Sequence, residues 1–446
     1  MPQEKRAHAQ RDVHMRHAPR QAQVPHRRSV RTSAPHQRGA EVRMPRLHPR
    51  RAHAAVAVFT LFTVLVVVAA VVGWYFLLRD VTVTVNGEAV AARVNTPLTA
   101  LLSDNGYFGV RPGRLLSVAG NVLDEEGGTD CTATYNGDLL AESSFAGTLV
   151  AEGDELTVAD GVDVEEPSHE EEATLLPGIQ KEEGGAIQFV TQWGRAGKRT
   201  VRRGERSGET VDVAVIEPAT DMVVSSINPA PAGGSYIALT FDDGPSIYTP
   251  DILAILKEKK APATFFNLGA SVAKDPAGAQ AIVDAGCELA SHTNAHQNLP
   301  TLDRDSLRAE ITSAADTLEQ ATGVRPAFIR APYGAFTEVE WARAGDVVAA
   351  NVLWNIDTRD WERPGPEAIT RAVLDNAYNG AIVLMHDGGG NREQDIEALP
   401  GIIDGLREHG YTLVTVGELM KLDGRVPQEV IDGAVAMPAD AAMPAL

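Results

Sequence analysis

Aromatic residues are scarce in this 446-residue chain, at 5%, against a hydrophobic content of 44%. Its core must therefore be built mostly from Val, Leu, Ile and Ala. Cysteine is scarcer still: Cys131 and Cys287 are the two in the chain, and they fall in different regions. Two cysteines so placed are not a disulfide framework, which excludes the small stapled folds. Two buried free thiols are the favoured reading, and one bridge between them is the alternative. Basic charge is also short over most of the length. Residues 1–53 hold 13 Lys/Arg and 3 Asp/Glu, whereas the remainder holds 27 basic and 57 acidic residues. An acidic body lacks the basic face that nucleic acid requires, so no nucleic-acid partner is expected.

Apolar periodicity is missing from residues 1–53, which are rich in Arg, His, Pro, Gln and Ala and are expected to be a disordered basic tail. Seven of the 12 histidines lie there, at irregular spacing, so a solvated tail is favoured over a metal-binding tract. Charge then vanishes from residues 54–78, AAVAVFTLFTVLVVVAAVVGWYFLL. About 20 apolar residues suffice for a helix to cross a bilayer, and Trp74 and Tyr75 near one end suit its interface. A buried core helix is disfavoured by the uniform apolarity. A cleaved leader is disfavoured by the length and by the lack of a small-residue cleavage site. Arg46, Arg50 and Arg51 flank the N-terminal side. The positive-inside rule then predicts a single-pass protein of the cell membrane, with a cytoplasmic N-terminus and an extracellular body.

Residues 80–162 are expected to be a small α+β module. Val81, Val83 and Val85 alternate with polar residues before Asn86-Gly87, a hairpin signal. A helical stretch from Pro97 to Asn105 and strands at 132–135 and 155–158 follow. This pattern resembles ubiquitin-like or β-grasp modules found outside the membrane in bacterial cell-wall proteins. Residues 163–172, DVEEPSHEEE, read as an acidic linker, and the rest of 163–233 as a small β-rich spacer without a catalytic constellation. Residues 423–446 read as a disordered tail.

From Ser235 the pattern changes to strands alternating with helices. Apolar strands are predicted at 236–241, 263–268, 287–290, 327–330, 350–356, 381–385 and 412–416, with amphipathic runs such as 306–323 between them. Such alternation implies an α/β fold of parallel strands covered by helices. Seven strands predict a distorted (β/α)7-type barrel over residues 234–422, with its chemistry at the C-terminal strand ends.

Polar clusters sit at those ends. Adjacent Asp242 and Asp243 end the first strand and point in different directions, so one can bind a metal while the other faces a substrate. His292 and His296 end the third strand, on one face if the segment turns helically. With an Asp they make an open, catalytic His₂Asp site. The runs Arg330-Ala331-Pro332-Tyr333-Gly334, Asp357-Thr358-Arg359-Asp360-Trp361 and Leu384-Met385-His386-Asp387 end three further strands. Each alone is explained as an ion pair or a loop; five in order are not.

Read as TFDDGP, SHTNAH, RAPYG, DTRDW and LMH, these clusters make residues 236–420 resemble the polysaccharide deacetylase (NodB-homology) family of carbohydrate esterases. The resemblance implies a metal-dependent hydrolase that removes acetyl groups from N-acetylated sugars. It implies a divalent metal, zinc first and cobalt or nickel as alternatives, on Asp243, His292 and His296. Asp242 would be the general base, held by Arg330. His386 would be the general acid, tuned by Asp360. Tyr333 would offer its backbone N–H to the oxyanion, and Trp361 and Leu384 would wall the acetyl pocket. Peptidoglycan N-acetylglucosamine is the expected substrate. A chitin-like oligomer, an exopolysaccharide, a different metal-dependent amide hydrolase and a non-catalytic wall-binding protein are the alternatives.

Overall fold

The computed structural model describes residues 49–435 and 437–445, so residues 1–48 of the tail expected over 1–53 lie outside the described residues, and residues 49–53 are helical. A helix runs over Pro49–Leu77 and so begins before the apolar run, on a proline, which suits the first turn because it has no N–H to leave unpaired. Within it Val56–Leu77 has a mean hydropathy of 2.8 and none of that stretch is buried, so it is long and apolar enough to cross a membrane.

Downstream lies a five-stranded mixed sheet. Asp80–Val85 pairs antiparallel with Glu88–Arg93, and Asn86 and Gly87 both take positive φ between them, as a tight two-residue turn requires. On its other edge Asp80–Val85 pairs in parallel with Glu155–Ala159, which continues the sheet to Thr132–Tyr135 and Asp138–Leu140. Val81, Val83 and Val85 are buried against Leu98, Leu101 and Leu102 of the short helix Leu98–Asp104.

The acidic run read as a linker is strand instead. Ser168–Leu175 pairs along its full length with Gly197–Gly204, whose sequence is GKRTVRRG. Arg203 meets Glu171 at 2.5 Å, and Arg202 meets Glu165 at 2.9 Å. Repulsion within the acidic strand is thus offset by a basic neighbour. The end of the chain differs from expectation as well. Val426, Val430 and Ile431 are buried around the short helix Gln428–Ile431. Further on, the Ala442 and Ala445 N–H groups donate to the Gly194 and Pro177 carbonyls.

The region after residue 235 is a parallel sheet with the spatial order Glu288–Ser291, Thr264–Asn267, Tyr236–Asp242, Ala381–His386 and Ile356–Asp357. Beyond Ser291 the order continues through single parallel bridges to Ile329 and then to Asn351. The two ends of this order, Asn351–Val352 and Ile356–Asp357, are three residues apart in the chain. The sheet must therefore curl back on itself. The strand expected at 327–330 shrinks to one bridge, and that expected at 350–356 splits in two. Where the latter splits, the Arg330 guanidinium binds the Val352 and Leu353 carbonyls, at 2.9 and 3.1 Å. The open seam is filled from upstream: Ile187–Gln192, inside the expected spacer, pairs antiparallel with Asn351–Val352.

Strand alternation sets the layers. Ile237, Leu239 and Phe241 face a helical layer to which Thr249–Lys259, Pro276–Asp284, Pro366–Leu374 and Glu393–Glu408 contribute Ile252, Ile282, Ile369 and Ile402. Each such fully buried side chain is worth roughly 1.5–3 kcal/mol. Ala238 faces the opposite way, toward Phe266, Ala290 and Ile382. With a period of two, Thr240 and Asp242 share Ala238's side and so enter the interior of the curl.

Candidate active site

Asp242 ends the first parallel strand and is 2% exposed. The fully buried Arg330 donates from Nη1 to its Oδ1 at 2.7 Å and to Thr240 Oγ1 at 2.8 Å. The guanidinium also lies 4.0 Å over the Phe266 ring. Every edge of the cation therefore has a partner, which is what makes its burial tolerable. Burial pushes the Asp242 carboxyl above the usual carboxylate range, opposed by the charges of Arg330 and His386. The Asp242 carbonyl accepts the N–H groups of Asp387 and Gly388, which ties this strand end to the loop after His386.

Asp243 has φ +73, a left-handed conformation that Asp tolerates better than most residues, and this turns its side chain away from Asp242. Its Oδ1 is buried with no hydrogen-bond partner among the described residues. It lies 3.6 Å from Nε2 of His292 and 3.6 Å from Nε2 of His296. A side chain at Gly389 would strike the Asp243 carboxylate, so that loop position must stay bare.

The two histidines do not sit on a helical turn as expected. Residues 292–296 are irregular, and positive φ at Thr293 and His296 brings the rings together instead, 5.0 Å apart edge to face. His292 Nδ1 is 2.7 Å from the Arg330 carbonyl. A carbonyl only accepts, so Nδ1 carries the proton and the Nε2 lone pair faces Asp243. Burial holds the His292 pKa down at about 3, so the ring is neutral, as a metal ligand must be.

One donor atom from each of Asp243, His292 and His296 falls within a 4.8 Å group able to hold a metal ion. Ligands about 2.1 Å from a tetrahedral ion stand roughly 3.4 Å apart, close to the separations found here. The orphaned carboxylate oxygen, the neutral imidazole and the Arg330 carbonyl that orients it all fit a cation. A set of three leaves a fourth position open for water or substrate.

Across the site, His386 ends strand Ala381–His386 and is the direct register partner of Asp242. Asp360 takes both its side chain and its backbone. His386 Nδ1 lies 2.8 Å from Asp360 Oδ1, and the His386 N–H donates to Oδ2 at 2.7 Å. The Trp361 N–H adds a third bond at 2.9 Å. Burial lowers the His386 pKa, but the hydrogen bond and charge of Asp360 outweigh it and leave His386 raised. Burial raises Asp360, and its bonds from His386 outweigh that in turn and leave it lowered. The pair is an imidazole that keeps its proton, with Nε2 free to give it.

Tyr333 has φ +61, is 69% exposed and sets its ring 4.7 Å from that of His296. Trp361 is half exposed beside Asp360, whereas Leu384 is buried two residues before His386, on the same face of the strand. Sequence reasoning gave no role to four buried polar residues around this set. Asp387, fully buried and pushed up to about 7 mainly by burial, accepts from Thr249 at 2.5 Å. Asp395 lies behind Asp360. Asn351 and Gln188 pair at 3.0 Å behind Ala331. A polar residue inside an otherwise buried strand was the available signal for Asn351; none marked the others.

Comparison with known proteins fits this arrangement. The family model described as polysaccharide deacetylase matches residues 230–347. A peptidoglycan-N-acetylglucosamine deacetylase of Bacillus cereus is 37% identical over 194 residues, covering 43% of this chain and 91% of that protein. A chitooligosaccharide deacetylase of Bradyrhizobium is 35% identical over 201 residues, covering 42% and 92%. A solved peptidoglycan deacetylase of Bacillus subtilis is 32% identical, covers 43% of this chain and 93% of its own, and has a TM-score of 0.40. With nine-tenths of the Bacillus cereus enzyme spanned at that identity, this chain belongs to the polysaccharide deacetylase family.

Proposed function

We propose that this protein removes the acetyl group from N-acetylglucosamine residues of peptidoglycan, outside the cell and tethered by residues 54–78. The observation that carries the reaction is the gathering of two unlike pairs beside one group able to hold a metal: Asp242 with Arg330, and His386 with Asp360. Peptidoglycan is favoured over a soluble glycan because an apolar helix and small β modules precede the catalytic region, as a wall-facing enzyme needs. In this reading the catalytic region is the (β/α)7-type barrel that seven parallel segments imply.

Asp243, His292 and His296 would hold a divalent cation, and their N/O donor set suits zinc. When bound, that ion polarises the amide carbonyl and lowers the pKa of water toward roughly 7. Asp242 takes a proton from the water as its oxygen bonds to the carbonyl carbon, and Arg330 fixes the carboxylate for that task. The carbonyl π pair moves to oxygen, where the Tyr333 N–H donates to it. His386 then gives its Nε2 proton to the amide nitrogen as the C–N bond breaks. The oxyanion pair re-forms the carbonyl as the amine and acetic acid leave; the acid ionises to acetate in solvent, and the protons released by it and by Asp242 pass to solvent, from which His386 regains one at Nε2. Trp361 and Leu384 wall the space for the acetyl methyl.

Acetate release by the purified full-length protein tests this reading, with peptidoglycan and chitooligosaccharides offered in parallel. Release from peptidoglycan, abolished by a chelator and restored by zinc, is the expected result. Release from chitooligosaccharides alone moves the substrate, and none from either defeats the proposal. Protease added to intact cells should digest the catalytic region; full protection overturns the topology.

A further inference from the structure

The carboxylate behind the acid histidine has a neighbour that the scheme above does not use. Asp395 lies in the first turn of the helix Glu393–Glu408 and is 1% exposed. No N–H or O–H of the described residues is bonded to either of its oxygens. Its carboxyl is instead within hydrogen-bonding reach of Asp360, which is itself fully buried. Two carboxylates cannot both be ionised in contact and out of water, because repulsion and desolvation act in the same direction. One proton must lie between them.

We infer that Asp395 holds this proton and donates it in a hydrogen bond to Asp360, making a buried Asp395–Asp360–His386 chain in which Asp395 is a positioning residue for the acid histidine. Asp360 already accepts from His386 Nδ1, His386 N and Trp361 N, at 2.7 to 2.9 Å, so its negative charge is well satisfied. Asp395 has no such donors. Burial pushes it up to about 9, with Asp360 adding to the rise and Arg392 opposing it, so the proton belongs on Asp395.

The groups around Asp395 leave no better partner. Arg392, 3% exposed, spends its Nε on the Gly388 carbonyl at 2.7 Å and lowers the Asp395 pKa only as the smaller influence. The facing helices Pro366–Leu374 and Thr249–Lys259 bury Ile369, Val373, Ile252 and Leu253 in the same layer, with no buried charged residue. Asp387 is occupied by Thr249. The consequence is mechanical. Asp360 is held by Asp395 as well as by His386, so the imidazole it orients keeps one direction through turnover.

This rests on the proposed deacetylase reading only for its kinetic arm. The test uses the full-length protein in lipid nanodiscs with isotope-labelled histidine, the His386 signal being assigned by its loss in His386→Gln. Asp395→Asn replaces a neutral donor by a neutral donor, so the His386 midpoint should move by less than about 0.3. A fall of about one unit or more would mean that an ionised Asp395 had been helping to hold the imidazolium, and would overturn the proposal. Asp395→Leu removes the donor and should lower kcat about 10–100-fold with little change in KM, while Asp395→Asn restores most of it. Wild-type kcat in a folded Asp395→Leu protein also overturns it. If wild-type protein releases no acetate from any glycan, the functional reading fails, but the titration still decides where the proton lies.

Discussion

The two acid–base pairs of the site are built from similar parts and held in opposite ways. Asp242 meets a permanent cation, and the whole pair is sealed: Arg330 is fully buried and Asp242 nearly so. Asp360 meets a group that can lose its charge, and the His386 side chain keeps 14% of its surface open toward the site. In the first pair the carboxyl is raised by burial, with the charge of its partner opposing the rise. In the second an acid is kept protonated against burial. A sealed ion pair also bears structural load, since removing one partner leaves an uncompensated charge. An open pair whose carboxylate has its own backbone donors carries much less.

Breaking one member of each pair should expose the difference. Arg330→Met strands Asp242 and unpairs the Val352 and Leu353 carbonyls, so it should cost about 3–5 kcal/mol of stability along with all measurable activity. His386→Ala should lower kcat about 10²–10⁴-fold, yet leave the melting temperature nearly unchanged. Asp360 retains the N–H donors of residue 386 and Trp361 in that variant. Equal melting losses in the two proteins, measured by calorimetry, would erase the distinction. The metal group uses other side chains than the pairs and should answer separately. His292→Ala should lose most bound zinc by elemental analysis, whereas Asp242→Asn should keep it and lose about 10²–10⁴-fold in rate.

The second pair should also reveal itself in pH dependence. An acid catalyst works only while protonated, so activity falls as pH rises through the His386 pKa, which stands above its ordinary value. Asp360→Asn removes the cause of the rise and leaves the burial that lowers it. The alkaline limb of kcat should therefore move to lower pH, and an unmoved limb would assign the acid to another group.

Much of this site was legible because its chemistry breaks the apolar strand pattern at the ends. Asp242, Arg330 and His386 each close a run of buried aliphatics, where a purely structural strand would continue into a turn. Asp395 stayed hidden because an acid in the first turn of a helix is also what the helix dipole favours. The bent path at 292–296 was unreadable because it depends on positive φ at Thr293 and His296, residues with no glycine-like signal. The boundary placed at residue 233 missed the antiparallel pairing across it, since hydrogen bonds between distant strands leave no mark in local composition. Gln188 looked like the outward half of an alternating strand, IQFVTQ, yet it is 4% exposed because both faces of that strand are covered.

That upstream strand supplies the smallest expected effect and the finest probe of the first pair. The Gln188 Oε1 accepts from Asn351 Nδ2 at 3.0 Å, and Asn351 Oδ1 accepts the Ala331 N–H at 3.0 Å. Ala331 follows Arg330 and begins the loop that carries Tyr333. The Ala186 carbonyl likewise takes the Leu353 N–H at 2.6 Å, on the same peptide whose Val352 carbonyl Arg330 grips. Strand Ile187–Gln192 thus braces Arg330 and its loop from behind. Gln188→Met keeps the shape but strands the buried Asn351 amide, a loss of about 1–3 kcal/mol. Because Asn351 still holds Ala331, the fall in kcat should be modest, about threefold to tenfold, with KM little changed. If residues 163–233 were a detachable spacer, Gln188→Met would alter neither quantity. Equal melting temperatures and equal kcat in the variant and wild type would return this strand to that role.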